Sequence, residues 1–306
     1  MSTDQAVASG RGRAVLSVLG AATLFGTTGT SQALGPSGTT PLGVGAVRIA
    51  IGGAGLFAVL PWIGGSRRDA LSLWRTRWGI LAGLTTALYQ VCFFGGVLRA
   101  GVAVGTLVTI GSGPVFTGLL SWVFLRERPR LTWVVATSVC VVGLVLLIGS
   151  GSSAGEADAL GYLLALASGL GYAFYTVASK RLMNEGHRSD EVMAAAFGLG
   201  GLLLVPVLLT QPLAWLGTPS GIAMALWLGL GTTTLAYVLF GRGLTHLPAG
   251  PVTTLVLAEP VVATLLGVLV LGETIPLLGW VGVGCVLAGL ALQGAASRLG
   301  EGQSLP

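Results

Sequence analysis

Near the end of the chain, residues 249–292 read AGPVTTLVLAEPVVATLLGVLVLGETIPLLGWVGVGCVLAGLAL. This stretch contains two continuous apolar runs that only the short polar segment GETIP at 272–276 separates. An α-helix needs roughly 20 mostly apolar residues to cross a bilayer. The runs at 247–271 and 276–296 meet that length, and Pro276 stands at a boundary, where proline commonly punctuates helices. The stretch therefore predicts two membrane-spanning helices joined by a short loop.

The same pattern extends over the rest of the chain. Together with these two runs, ten spans are predicted, at 14–34, 41–62, 78–98, 102–125, 131–149, 159–180, 192–210, 219–241, 247–271 and 276–296. The runs are continuous, whereas the strands of a membrane barrel would alternate apolar and polar residues. The predicted fold class is therefore all-α, a polytopic bundle of ten transmembrane helices whose short connections leave no room for a separate soluble domain.

The overall composition supports a membrane protein. Of the 306 residues, 53% are hydrophobic and 9% are charged, whereas a soluble domain carries about 25% charged residues. The net charge is +5, but the basic residues are scattered between apolar runs and form no patch for nucleic acid. The three cysteines are isolated within apolar runs, so neither a disulfide framework nor a metal site is predicted.

The distribution of basic residues predicts the orientation, because cytoplasmic loops carry an excess of Lys and Arg. With the N-terminus placed inside, almost all loop Arg and Lys residues fall in cytoplasmic segments, and Arg99 alone falls in an outer loop. Residues 14–25 resemble the core of a signal peptide, but the count of ten needs them as a retained first helix. We therefore predict a multi-pass protein of the cell (inner/plasma) membrane with both termini cytoplasmic.

The chain contains an internal repeat. Residues 94–146 align without gaps with residues 240–292. Identical pairs include Phe94/Phe240, Gly95/Gly241, Leu98/Leu244, Pro114/Pro260, Glu127/Glu273 and Gly143/Gly289. Matched proline and glutamate at the same spacing in both copies are harder to obtain by chance than matched apolar residues, so we interpret the alignment as a duplication.

The repeat divides the chain into two five-helix halves, residues 1–150 and residues 151–306. Because five is odd, the second half enters the membrane from the opposite side to the first, which gives inverted repeats. Secondary transporters commonly have this arrangement, with the substrate site near the midplane between the repeats. The alternative interpretation is that duplication only built a larger bundle.

Several segments resemble a known family. They are the stretch at 249–292 quoted above, SGPVFTGLLSWVFLRERPRLTWVVATSVCVVGLVLL at 112–147, LFGTTG at 24–29 and AVRIAIGG at 46–53. Together they resemble the EamA branch of the drug/metabolite transporter superfamily. The resemblance implies ten helices in two inverted five-helix repeats, a central cavity, and frequent roles in the export of amino acids or related metabolites.

Two charged residues stand out within the predicted spans, where a charge is costly and needs a reason. Glu259 directly precedes Pro260 near the middle of the ninth span. It is either a protonatable or amine-binding carboxylate in the cavity, or a structural partner of Arg48 or of a nearby hydroxyl. For Arg48, a structural role is favoured because its side chain can reach the outer surface, and contact with an anionic substrate is the alternative. For Glu127 and Glu273, which lie at predicted helix ends, a structural or gating role is favoured.

Polar side chains recur on several predicted helices and indicate the wall of a small polar pocket. The predicted substrate-binding residues are Thr27, Thr30, Tyr89, Gln90, Thr109, Ser112, Tyr172, Tyr175, Thr234, Tyr237 and Glu259. Any single hydroxyl in this set could instead hydrogen-bond across a helix contact.

The sequence contains no motif for catalysis or for nucleotide binding, so no enzyme activity and no cofactor are predicted. Transport would then draw on a gradient. The predicted function is a secondary-active or facilitative transporter of small polar metabolites, with export of amino acids or related compounds by alternating access as the favoured form. The alternatives are an import permease for sugars or nucleotide sugars, and a non-transporting structural subunit. The expected partners are a small-molecule solute and the lipid bilayer, and a homodimer is an open alternative.

Overall fold

The computed structural model describes the backbone of residues 3–149 and 158–299, with side chains from residue 10 onward. Within that part of the chain it contains ten helices long and apolar enough to cross a membrane. They are α1 (Gly10–Ala33), α2 (Pro41–Ile63), α3 (Arg77–Ala100), α4 (Val102–Leu125), α5 (Leu131–Gly149), α6 (Ala159–Asn184), α7 (Ser189–Leu209), α8 (Pro219–His246), α9 (Ala249–Leu271) and α10 (Leu277–Arg298). The ten predicted spans are confirmed, and the described residues contain no strand.

Local capping explains where several helices begin. Thr40, Thr76 and Thr218 each have extended backbone, and each hydroxyl accepts a hydrogen bond from the N–H three residues later. Asp158 does the same for α6, where its carboxylate accepts from the Gly161 N–H at 2.6 Å. Such caps satisfy donors that the first turn of a helix leaves unpaired. The Gly161 N–H and the neighbouring Arg99 guanidinium lower the pKa of Asp158.

Helix α9 is interrupted near its middle. It consists of an α-helix over Ala249–Val256 and a second over Ala258–Leu271, with Leu257 between them. Pro260 lacks an N–H and its ring crowds the preceding turn, so the Val256 carbonyl loses its helical donor. The interruption brings irregular backbone into the bundle interior beside Glu259.

The packing of the helices follows the inverted repeat. Helix α3 packs on α6 as α8 packs on α1, and α4 packs on α6 as α9 packs on α1. The pairs α2–α7, α4–α9 and α5–α10 join equivalent helices of the two halves. The pattern is unchanged when the first five helices are exchanged with the last five, as two inverted five-helix repeats require. The predicted boundary at 150/151 lies outside the described residues and stays a prediction.

Two faces of the bundle are needed for the description of the site. Because successive helices alternate in direction, α1 begins and α10 ends on the same side, which we call the terminal face. The other side, where α1 ends and α2 begins, is the distal face.

The predicted C-terminal end of α8 at residue 241 is wrong by several residues, because α8 continues to His246 at the terminal face.

Candidate functional site

A cavity of about 350 Å³ lies between the two repeats. Its wall comes from α1, α2, α3 and α4 of the first repeat and from α6 and α9 of the second. The volume falls within the range of known small-molecule sites, about 300–1,000 Å³. The cavity is therefore large enough for a small metabolite and is built by both halves of the protein.

The cavity opens toward the distal face. Its lining includes Gln32, Pro41 and Val102, which lie at the distal ends of α1, α2 and α4. The deepest lining residues are Tyr172, in the middle of α6, and Thr253, in the first half of α9. A solute could therefore enter or leave from the distal side in this conformation.

Two charged side chains line the cavity from opposite repeats, Arg48 on α2 and Glu259 on α9. Within the part of the chain that the structure describes, neither forms a salt bridge. The Arg48 Nε is buried without a hydrogen-bond partner. Arg48 and Glu259 attract each other without forming a salt bridge, and Tyr89 interacts with Arg48, so the protein satisfies these two charges only in part.

Aromatic and amide side chains form one wall beside these charges. The rings of Tyr89 and Tyr172 lie 6.1 Å apart, and those of Tyr89 and Phe93 lie 6.4 Å apart. The Gln90 side chain donates to the Gly45 carbonyl at 3.4 Å, across the contact between α3 and α2. The Ser168 hydroxyl donates to the Tyr89 carbonyl at 3.0 Å and joins α6 to α3.

The structure places the predicted binding residues in two groups. Tyr89, Gln90, Thr109, Tyr172 and Glu259 line the cavity. The others lie outside its lining, namely Thr27, Thr30, Ser112, Tyr175, Thr234 and Tyr237.

Some residues of the second group have other contacts. The Thr27 hydroxyl accepts a hydrogen bond from Trp227 Nε1 at 3.0 Å, between α1 and α8. The Thr234 hydroxyl donates to the Gly52 carbonyl at 3.1 Å, between α8 and α2. Ser112 donates to the Thr109 carbonyl within α4. These hydroxyls contribute to helix contacts in this conformation.

Several cavity residues were absent from the predicted set. Arg48 is the most important, and Thr28, Gln32 and Thr106 also line the wall. Thr28 and Gln32 lie four residues apart on one face of α1, a spacing that could have identified them. This face of α1 is adjacent to the face that carries the predicted binding residue Thr27.

Below the cavity, an aromatic cluster blocks the route to the terminal face. It consists of Tyr175, Phe197, Tyr237 and Phe240, each at most 4% exposed. The rings of Phe197 and Tyr237 are 3.8 Å apart, and Tyr175 lies 5.8 Å from Phe197. Close packing of these rings leaves no path for a polar solute through this part of the bundle.

Lys180 closes the terminal side beyond the aromatic cluster. Its Nζ donates to the carbonyls of Leu244, Thr245 and Leu247, at 2.6, 3.2 and 3.0 Å. An ammonium group has three donors, so all of them are used. The three bonds tie the end of α6 to the last turn of α8 and to the connection that leads to α9.

Glu127 makes a second terminal contact between the repeats. Its Oε2 accepts a hydrogen bond at 2.9 Å from the N–H of Ala249, the first residue of α9. Burial raises the pKa of Glu127, and the Lys180 ammonium and the Ala249 N–H offset part of that rise. Its repeat partner Glu273 is exposed at the distal face, and its carboxylate has no hydrogen bond to any described residue. One side of the bundle is therefore fastened while the other is open.

Comparison with known proteins gives concordant matches. A model of the EamA-like transporter family matches residues 12–149 and again residues 159–294. The uncharacterized transporter YwfM of Bacillus subtilis (strain 168) is 41% identical over 92% of this chain and 94% of its own length. The threonine/homoserine exporter RhtA of Escherichia coli (strain K12) is 28% identical over 90% of this chain and 88% of its own.

A solved crystal structure has the same fold. It superposes with a TM-score of 0.79 over 94% of this chain and 98% of that chain, at 22% sequence identity. At that identity the likeness concerns the arrangement of the helices alone.

Proposed function

Since the chain belongs to the EamA-like transporter family, we propose that it is a secondary-active or facilitative carrier that exports amino acids or related small polar metabolites. The observation that carries this proposal is the cavity between the repeats, open at the distal face and blocked at the terminal face. A carrier that works by alternating access needs such a one-sided cavity, together with a second state open to the other side.

The repeat suggests what the second state looks like. The alignment that pairs Glu127 with Glu273 also pairs Ala249 with Ala103, near the start of α4 at the distal face. In the second state, Glu273 would accept a hydrogen bond from the Ala103 N–H while Glu127 releases Ala249. The two glutamates would thus close opposite sides of one pathway in turn.

The orientation, which is part of the proposal, determines which side of the membrane the cavity faces. With both termini cytoplasmic in the inner or plasma membrane, the distal face lies outside, and the present conformation would be the one that releases an exported solute. The substrate class is supported by the name of RhtA, a threonine/homoserine exporter. An import permease for sugars would use the same fold, and a homodimer stays a prediction.

The proposal is tested by counterflow in vesicles that contain the purified protein. Vesicles loaded with unlabelled L-threonine are expected to accumulate labelled L-threonine transiently. Ala263 lines the cavity, so Ala263→Trp should fill it and lower the initial rate at least about tenfold, because the solute loses its site. Ala288→Trp, on an exposed position of α10, should keep the rate.

Three outcomes would count against the proposal. Equal rates in the two tryptophan variants would show that solute does not pass through the cavity. Counterflow of UDP-glucose without counterflow of any amino acid would favour the sugar permease. Vesicles that exchange no solute at all would favour a structural subunit.

A further inference from the structure

The two charges of the cavity are each present in only one repeat. The alignment of the repeats pairs Glu259 with Gly113, so the shared scaffold does not require an acid at this position. Helix α7, the counterpart of α2, contains no basic residue in Ser189–Leu209, so Arg48 also has no equivalent. The cavity therefore departs from the repeat symmetry by having a cation on one side and an anion on the other.

The protein satisfies these charges only in part, because Arg48 and Glu259 attract each other and Tyr89 interacts with Arg48, but neither charge is closely paired. A charged group within the hydrocarbon region is costly and is normally paired or functional. Among the described side chains, Arg48 and Glu259 form no salt bridge, with each other or with any other residue. The buried Arg48 Nε has no acceptor. A guanidinium has five donors and commonly binds a carboxylate through two of them.

The backbone beside Glu259 supplies a second acceptor. Pro260 cannot donate to the Val256 carbonyl, and Val256 lines the same cavity. The Val256 carbonyl, which lacks this donor, can therefore serve as a second acceptor for an ammonium group that binds the Glu259 carboxylate. Between the two polar ends, the rings of Tyr89 and Tyr172 offer an apolar surface to a carbon chain.

We propose that the cavity recognises a zwitterion, with Arg48 binding the carboxylate of an α-amino acid and Glu259, with the Val256 carbonyl, binding its ammonium group. This inference rests on the proposed function and specifies its substrate. A solute that has only one of these charges leaves the other cavity charge without a partner, so it binds more weakly. An uncharged sugar satisfies neither.

The test compares three probes, L-threonine, L-threoninamide and N-acetyl-L-threonine. The amide lacks the carboxylate, and the acetyl compound lacks the ammonium group. Affinities are measured by calorimetry on the purified protein and by competition with labelled L-threonine in counterflow. Loss of one charge-assisted contact is expected to weaken binding of either derivative at least about tenfold relative to L-threonine.

Single substitutions test which residue binds the carboxylate of the probe and which binds its ammonium group. Arg48→Gln should weaken the binding of L-threonine at least about tenfold and leave the affinity for L-threoninamide unchanged. Glu259→Gln should weaken the binding of L-threonine similarly and leave the affinity for N-acetyl-L-threonine unchanged. The unchanged probe in each case reports a folded cavity. Arg99→Gln is the matched control, because Arg99 is an exposed cation near the distal face that pairs with Asp158 outside the cavity lining.

The results separate recognition from transport. Equal affinity of the wild type for all three probes, no binding of L-threonine, or equal losses for every probe in both variants would overturn the inference. Charge-dependent binding of L-threonine without counterflow would support the inference and count against the transport proposal. Counterflow of L-threoninamide as fast as that of L-threonine would support transport and overturn the inference.

Discussion

Replacing Lys180 with methionine is expected to open the terminal side of the protein and to lower the rate of L-threonine counterflow at least about tenfold. The ammonium group is buried, and its three hydrogen bonds tie α6 to the last turn of α8 and to the connection that leads to α9. A hydrogen bond to a charged group contributes about 1.5–3 kcal/mol, and removing one partner leaves the other unsatisfied. Methionine fills similar space but donates no hydrogen bond, so the distal-open state loses its closure.

The effect of Lys180→Met is measured by counterflow and by thiol labelling at a neighbouring position. Ser179 is fully buried, so a cysteine there should react with a polar reagent from the terminal side only when that side opens. Arg181→Met is the matched control. Arg181 pairs with Glu185 on an exposed face at 2.8 Å, and exposed pairs contribute about 0–1 kcal/mol. Similar labelling and similar rates in both variants would mean that Lys180 does not close the pathway.

The second large effect is expected where the last helices of the two repeats cross. A Cβ at Gly282 on α10 would lie 2.6 Å from the Gly143 carbonyl oxygen on α5, and a Cβ at Gly143 would lie 2.7 Å from the Gly282 carbonyl oxygen. Both obstacles are backbone atoms, which cannot rotate away as a side chain can. Gly282→Ala and Gly143→Ala should each destabilise the fold by about 1–3 kcal/mol.

The glycine prediction is checked by thermal unfolding of the purified variants in detergent. Gly284 lies on the same helix as Gly282, is exposed, and has no atom near the position of an added Cβ. Gly284→Ala should therefore keep the wild-type Tm, while the two crossing variants fall by several degrees. Unfolding of all three at the same temperature would show that α5 and α10 do not approach as closely as the structure has them.

Much of the fold can be predicted from the sequence, because a bilayer permits few kinds of backbone structure. A long apolar run must be a helix when lipid cannot satisfy its backbone, so the ten spans are determined by length and hydropathy. The inverted pairing of helices follows from the odd number of helices in the repeat. Glu259 could also be located in the cavity, since its charge and the adjacent Pro260 distinguish it from an apolar helix.

Other parts of the site could not be predicted, because apolar residues surround a membrane helix on every side. In α1 the sequence indicated Thr27 and Thr30, whereas Thr28 and Gln32 line the cavity. Hydropathy does not tell which face of such a helix meets the cavity and which meets a neighbour. For Arg48, the sequence favoured a side chain that extends to the outer surface. A side chain of this length can extend either to the surface or into the cavity, and hydropathy does not distinguish the two.

Tyr172 and Tyr175 show a limit of another kind. They lie three residues apart on α6, yet Tyr172 lines the cavity and Tyr175 belongs to the aromatic cluster that blocks the terminal side. In the proposed alternating-access cycle, the boundary between the cavity and the closed side changes with conformation. One sequence would encode both conformations, so it does not say which residues are accessible in one of them.

The most direct test is the accessibility of Thr106, which lines the cavity on α4. A cysteine at this position, in a protein without Cys92, Cys140 and Cys285, is treated in intact cells with a membrane-impermeant thiol reagent. We expect labelling from outside the cell and protection by added L-threonine. Labelling that occurs only from the cytoplasmic side, and that L-threonine does not change, would contradict a shared cavity that opens outward between two inverted repeats.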